Sequence, residues 1–166
     1  MGDAGVTIRD VEPSEFAAVG ALTVDVYVGE GHVNPESPYV AELGDTATRA
    51  ASAEILVAVA DGEVVGSVTV ARAGTEFADI ARAGELEFRM LVVGKQGRGL
   101  GVGTALVHKV IEIARAEGWQ AVVLTTMPTM RDARRLYDRL GFEHVPERDW
   151  KAMSGLPLTV MRLPIN

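Results

Sequence analysis

The chain carries two hydrophobic periodicities, one of about two residues and one of about 3.6, and the switches between them mark its elements. Residues 6–11 read as a first strand, and Pro13 opens a helix running to residue 28. Residues 29–38 are rich in turn formers, and a second helix follows over 39–51. Two apolar runs, 54–60 and 63–71, flank Asp61-Gly62, a dipeptide suited to the tight turn of a β-hairpin. Residues 72–84 read as a loop or a short helix, and a fourth strand runs to Val93. A helix over 100–117 puts Leu106, Val110, Ile113 and Ala114 on one face, with Gly118 as its C-terminal cap. Residues 121–126 form a buried strand. Thr129 caps a further helix, with Asp132 in a capping-box position, and that helix ends at Leu140 with Gly141 as cap and Phe142 as its apolar partner. A last strand covers 158–163. The order β-α-α-β-β-β-α-β-α-β-β predicts one α/β domain over residues 1–166. Its mixed sheet is partly antiparallel because of the hairpin and is flanked by helices.

The segment from Leu91 to Val107, LVVGKQGRGLGVGTALV, passes from strand to helix through glycines at every second position, Gly97, Gly99, Gly101 and Gly103. Glycines let a ligand approach the backbone, and a helix's first turn offers unpaired N–H groups to an anion. The dinucleotide pattern G-x-G-x-x-G fails in all three registers, because its last glycine falls on Val102, Thr104 or Leu106. The nucleoside-triphosphate loop fails because Gly94-Lys95 is followed by Gln96. What remains is Arg98-x-x-Gly101-x-Gly103, followed by Ala105-Leu106; a register starting at Gln96 also fits.

Composition narrows the chemistry. The chain has no cysteine, which excludes disulfides, thiolate metal sites and a cysteine-bound acyl intermediate. His32, His108 and His144 are too far apart for a metal spacing, so the expectation is a metal-free protein. No stretch is apolar enough to span a membrane, and the start, Met-Gly-Asp-Ala-Gly-Val, lacks the features of a signal peptide. Val6 stands where a myristoylation signal needs Ser or Thr. A cytoplasmic location is expected, and arginine outnumbering lysine 13 to 3 hints at a GC-rich bacterial source. The net charge of −7 disfavours nucleic acid and favours small cations. Lys95, Arg98, Arg131, Arg134, Arg135 and Arg139 are local basic exceptions suited to a polyanion.

The glycine register, the strand Glu87-Phe-Arg-Met-Leu-Val-Val93 and the segment Leu136-Tyr-Asp-Arg-Leu-Gly-Phe142 together resemble the GNAT acyltransferase superfamily over roughly residues 85–145. The resemblance implies an acyl-CoA N-acyltransferase fold, acetyl-CoA as co-substrate, and a small-molecule or peptide amine as acceptor; a homodimer is compatible with it. It implies cofactor contacts at Leu91, Val92, Val93, Arg98, Gly99, Gly101, Val102, Gly103, Thr104, Met130, Ala133, Arg134 and Tyr137. Catalytic roles fall on Glu87 as base, the Leu91 backbone as oxyanion holder and Tyr137 as acid to the leaving thiolate. Met130 stands where the family often has asparagine, with Thr129 or Asp132 as stand-ins.

The residues themselves say why a base is needed: an amine with a pKa near ~10.4 is almost wholly protonated at neutral pH. Period two puts Glu85, Glu87, Arg89, Leu91 and Val93 on one strand face. Glu85 is the second candidate base, and an ion pair with Arg89 is the alternative role for Glu87. Tyr137 can instead be a packing residue, and Arg134 a solvated one. A non-catalytic acyl-CoA-binding module is the competing function, and acetylation of a tRNA-bound amine is disfavoured by charge. The acceptor is expected among residues 29–45, 72–84 and 147–157, which carry Glu30, His32, Glu36, Tyr39, Glu42 and Trp150.

Overall fold

The computed structural model describes residues 5–165; residues 1–4, on which the leader and myristoylation expectations chiefly rest, lie outside them. In chain order the elements are β1 (Thr7–Asp10), α1 (Phe16–Gly29), α2 (Tyr39–Gly44), α3 (Thr46–Ser52), β2 (Glu54–Ala60), β3 (Glu63–Arg72), β4 (Glu85–Val93), α4 (Val102–Glu117), β5 (Ala121–Thr126), α5 (Arg131–Arg139), β6 (Glu143–His144), β7 (Trp150–Lys151) and β8 (Pro157–Pro164). The sheet order is β1-β2-β3-β4-β5-β8-β6, with β7 paired to β8. Among the described residues only β4 and β5 pair in parallel. The β2–β3 turn has Asp61 at φ 51° and Gly62 at φ 77°, the double left-handed conformation the hairpin dipeptide favours.

Helix α4 covers one face of the sheet. Leu106, Val107, Val110 and Ala114 pack there on Leu86, Phe88 and Val122, joined by Leu136, Tyr137 and Phe142 from α5 and the residues after it. Gly66 of β3 sets how closely α4 lies, because a Cβ there would stand 2.6 Å from Val102 Cγ1. The other face carries α1 with α2, where Tyr27 and Leu43 pack on Met90 and Val92.

Three expectations change. The helix expected over 39–51 is two helices broken at Asp45, whose carboxylate accepts from the Thr48 N–H and caps α3. Buried Arg49 donates to the Glu42 and Leu43 carbonyls and so satisfies the end of α2. Thr129 does not cap α5; Met130 holds that position and the Thr129 hydroxyl is bound to His32 instead.

The third change positions the site. Glu85, Glu87, Arg89, Leu91 and Val93 do not share one face. Met90 has φ 55°, and the β3–β4 register shifts between Ser67 and Thr69, so Met90 and Leu91 together oppose Val68. This β-bulge inverts the alternation. Before it, Leu86 and Phe88 face α4; after it, Leu91 and Val93 do, while Met90 and Val92 join the α1 side.

Candidate active site

The β4–β5 ladder ends early. Pairing runs from Glu85–Ala121 to Glu87–Val123 and stops, although β4 continues to Val93 and β5 to Thr126. Beyond that point the strands diverge, and β4 leaves one edge without a partner strand. A cleft of about 300 Å³ occupies the opening. Its walls include Phe88, Arg89, Met90, Leu91 and Val93 of β4, Val26 and Tyr27 of α1, Thr125 of β5, and Met130, Ala133, Leu136 and Tyr137 at α5.

One end of the cleft is built for an anion. Gly101, at φ 72°, caps the start of α4, and nothing lies within 4 Å of where its Cβ would be. The amides of Gly99, Gly101, Val102, Gly103 and Thr104 donate to no group among the described residues, the first α4 bond being Ala105 N–H to the Gly101 carbonyl. Converging free N–H groups with open space before them fit a pyrophosphate. Arg98 lines the cleft and is ion-paired to Glu30. Glu30 also lies 3.7 Å from His32, and His32 Nδ1 shares a 2.7 Å hydrogen bond with Thr129 Oγ1. This chain of contacts spans the cleft from the glycine loop to the β5–α5 turn. Arg131 lines the cleft with no partner among the described residues, whereas Arg134 sits outside it, 3.5 Å from Asp138.

Tyr137 is 5% exposed and packs edge-on against Phe88 and tilted against Phe142. Its hydroxyl has no hydrogen-bond partner among the described residues, and burial pushes its pKa up, so it stays a proton donor.

The two strand carboxylates differ sharply. Glu85 is held bidentately by Arg148 at 2.9 Å through both oxygens, and receives Arg162 Nε at 2.9 Å and the Arg82 N–H at 3.0 Å. Burial opposes ionisation of Glu85, but these donors together hold its pKa below the usual value. Glu87 is 1% exposed and stands where β4 and β5 part. Its Oε1 accepts from the Ile80 and Ala81 N–H groups at 2.9 and 3.0 Å, and its Oε2 is buried with no partner. Burial raises its pKa, against the pull of those two amides and of Arg89. Glu87 and Arg89 make no ion pair; Arg89 instead reaches Tyr39, Glu42 and Asp79.

Of the residues expected to meet a cofactor, Leu91, Val93, Arg98, Gly103, Met130, Ala133 and Tyr137 line the cleft. Gly99, Gly101 and Thr104 stand beside it as backbone donors, while the side chains of Val92 and Val102 are buried. Val26, Tyr27, Phe88 and Thr125 carry no sequence signal beyond being core-like, and Arg131 is marked in the sequence only as one of several basic spots. His108 is exposed, and His144 in β6 binds Asp149 at 2.8 Å. The three irregular segments meet around β4 and β5. Tyr39, Glu42 and Asp79 surround Arg89, Ile80 and Ala81 hold Glu87, and Trp150 reaches Thr125 at 3.4 Å.

Among known proteins, human N-acetylaspartate synthetase is 36% identical over 104 residues, which cover 63% of this chain and 32% of that protein. The match thus spans about a third of such relatives' own length. A GNAT-family acetyltransferase from Staphylococcus aureus superimposes with a TM-score of 0.78 at 16% identity, covering 97% of this chain and 99% of that one. A Salmonella typhimurium protein solved with its cofactor acetyl-CoA gives 0.71 at 20% identity, covering 98% and 95%. The family model for the acetyltransferase (GNAT) family matches residues 19–142, and the chain belongs to that family.

Proposed function

We propose that the chain transfers an acyl group, acetyl in the simplest case, from acetyl-CoA directly to a primary amine of a small molecule or peptide. The observation that carries this reading is the parted β4–β5 seam. It joins an anion-binding helix start to an unpartnered strand edge, with a buried carboxylate at the apex and a phenol on the wall. The free amides of Gly99, Gly101, Val102, Gly103 and Thr104, with Arg98 and Arg131, would hold the pyrophosphate. The open edge of β4 from Phe88 to Val93 would hold the pantetheine arm as an added strand does. Val92 and Val102 would contribute through their backbones, and Met130 and Ala133 through apolar contact.

Bound acetyl-CoA supplies an activated acyl carbon. Glu87 takes the proton of the acceptor ammonium through a water, its Oε2 being buried without a partner among the described residues and its raised pKa making it the stronger base. The full pairing of Glu85 favours Glu87 in this role. The amine's lone pair forms the new C–N bond while the C–S bond breaks. The Leu91 N–H stabilises the charge that builds on the carbonyl oxygen. Tyr137 gives its proton to the thiolate, and the second proton that the nitrogen sheds as it becomes an amide restores the phenol. The presence of both an acid and a base favours an enzyme over a binding module.

The test is an amine panel with acetyl-CoA, read by thiol release and by the mass of the N-acetyl product. Wild type should acetylate at least one amine. Tyr137→Phe, which removes a hydroxyl with no protein partner, should stay folded and lose roughly 10²-fold in kcat. Tight acetyl-CoA binding with no transfer to any amine would refute the enzymatic reading.

A further inference from the structure

Buried arginines in this protein follow two patterns. Arg148 is held tightly: its side chain is 7% exposed, it grips Glu85 with two 2.9 Å bonds, and it donates to the Ile80 carbonyl at 2.7 Å. Arg89 is not. Its side chain is 13% exposed, yet its carboxylate partners are loose, Asp79 at 3.3 Å and Glu42 at 3.5 Å. Both crowd onto one nitrogen, Nη2, which also donates to the Tyr39 hydroxyl at 3.1 Å. Nη1 reaches the Phe77 carbonyl at 3.2 Å. Nε has no acceptor among the described residues and is not sealed off, unlike the orphaned Nε of Arg49.

Arg89 lines the cleft. The bulge at Met90 puts it on the opposite face of β4 from Leu91 and Val93. A guanidinium binds a carboxylate best through two parallel N–H bonds, and the open Nε–H offers one of them. Asp79 and Glu42 are 41% and 45% exposed and sit on separate segments, so either can swing from Arg89 to a ligand's ammonium. A cation flanked by two movable anions is complementary to a zwitterion.

We propose that Arg89 anchors the acceptor's carboxylate, and that the amine acetylated here belongs to an α-amino acid. This rests on the amine-acetylating reading above and names its substrate class. Asp79 and Glu42 receive the ammonium before Glu87 deprotonates it. The carboxylate holds the amine at the bulge, beside the Leu91 backbone.

The experiment uses matched acceptors: L-aspartate, L-methionine and L-phenylalanine against the same molecules with every carboxyl amidated. Transfer from acetyl-CoA is measured together with calorimetric binding of each acceptor to the CoA-saturated protein. At least one acid should exceed its amide tenfold or more in kcat/KM and in affinity. In Arg89→Gln that ratio should collapse through KM rather than kcat. Arg89→Lys, which keeps the charge without the fork, serves as a second variant and should recover only part of the ratio. Acids that bind through Arg89 without being acetylated would sink the enzymatic reading and leave the anchor standing. Amides acetylated as well as acids would overturn the anchor and leave the enzyme standing. Neither binding nor transfer would overturn both.

Discussion

Replacing Glu30 by glutamine should tighten coenzyme A binding, although Glu30 makes no contact that the cofactor needs. Arg98 is engaged by Glu30 in the structure, so a phosphate must displace that carboxylate before it gains the guanidinium. The pair is open to solvent, with side chains 54% and 40% exposed, so the contest is worth no more than about 1 kcal/mol. That is up to about a fivefold gain in affinity for Glu30→Gln. Arg98→Ala loses a charge-assisted phosphate contact of about 1.5–3 kcal/mol and regains up to about 1 kcal/mol from the abolished pair. The net loss is about 0.5–3 kcal/mol, roughly two- to 150-fold in Kd. In the double mutant the benefit of Glu30→Gln should shrink, because no arginine remains to be freed. Calorimetry of coenzyme A binding to the four proteins gives the cycle. Equal or weaker binding by Glu30→Gln, or an undiminished gain without Arg98, would refute the competition; unchanged affinity in Arg98→Ala would move the phosphate assignment to the Gln96 register.

Gly101→Ala should lower Tm by about 2–8 °C, since a left-handed alanine costs about 1–2 kcal/mol where the fold otherwise has room, and should weaken coenzyme A at least tenfold by calorimetry. Glu87→Gln should lower kcat roughly 10²-fold at neutral pH, with partial recovery as pH rises and more of the amine is neutral. The same variant should be more heat-stable than wild type at pH 8 but not at pH 4. Burial raises the folded-state pKa of Glu87, so its contribution is fully present below the unfolded value and is lost as pH climbs through the folded one. A full-rate Glu87→Gln enzyme across pH 6–9 would remove Glu87 as the base. Glu85→Gln should cost about 3 kcal/mol in urea unfolding, because it strands Arg148 and Arg162 beside a neutral side chain.

The glycine loop, the Asp61-Gly62 hairpin and the helix facing Leu106, Val110 and Ala114 were legible because each depends on local chemistry: a left-handed backbone, a tight turn, a repeating apolar face. The bulge at Met90 was not. Positive φ is normally announced by glycine or asparagine, and here it falls on a methionine held by its neighbours in the sheet. One extra residue moves Leu91 and Val93 to the face opposite Glu87, against the single face that strict alternation predicts. The break at Gly44-Asp45 was written in the sequence, Asp45 being a good cap, but the Arg49 donors that satisfy the preceding carbonyls come from tertiary packing. Arg134 stands out in the sequence by its place relative to Tyr137, whereas Arg131, in the first turn of α5, lines the cleft. The opposite fates of Glu85 and Glu87 depend on Arg148 and Arg162, which are more than sixty residues away in sequence.

The early end of the β4–β5 ladder also bears on how the molecule moves. Three residue pairs stitch the antiparallel strands β1–β4 to the group β5, β8 and β6. Past Val123 there is no rung left to break, so the two halves can spread or close around a ligand without losing a single sheet hydrogen bond. What resists such breathing is α4, which packs on β3 and β4 to one side and on β5 to the other. The helix whose first turn holds the phosphates is thus also the brace that sets how far the cleft yields.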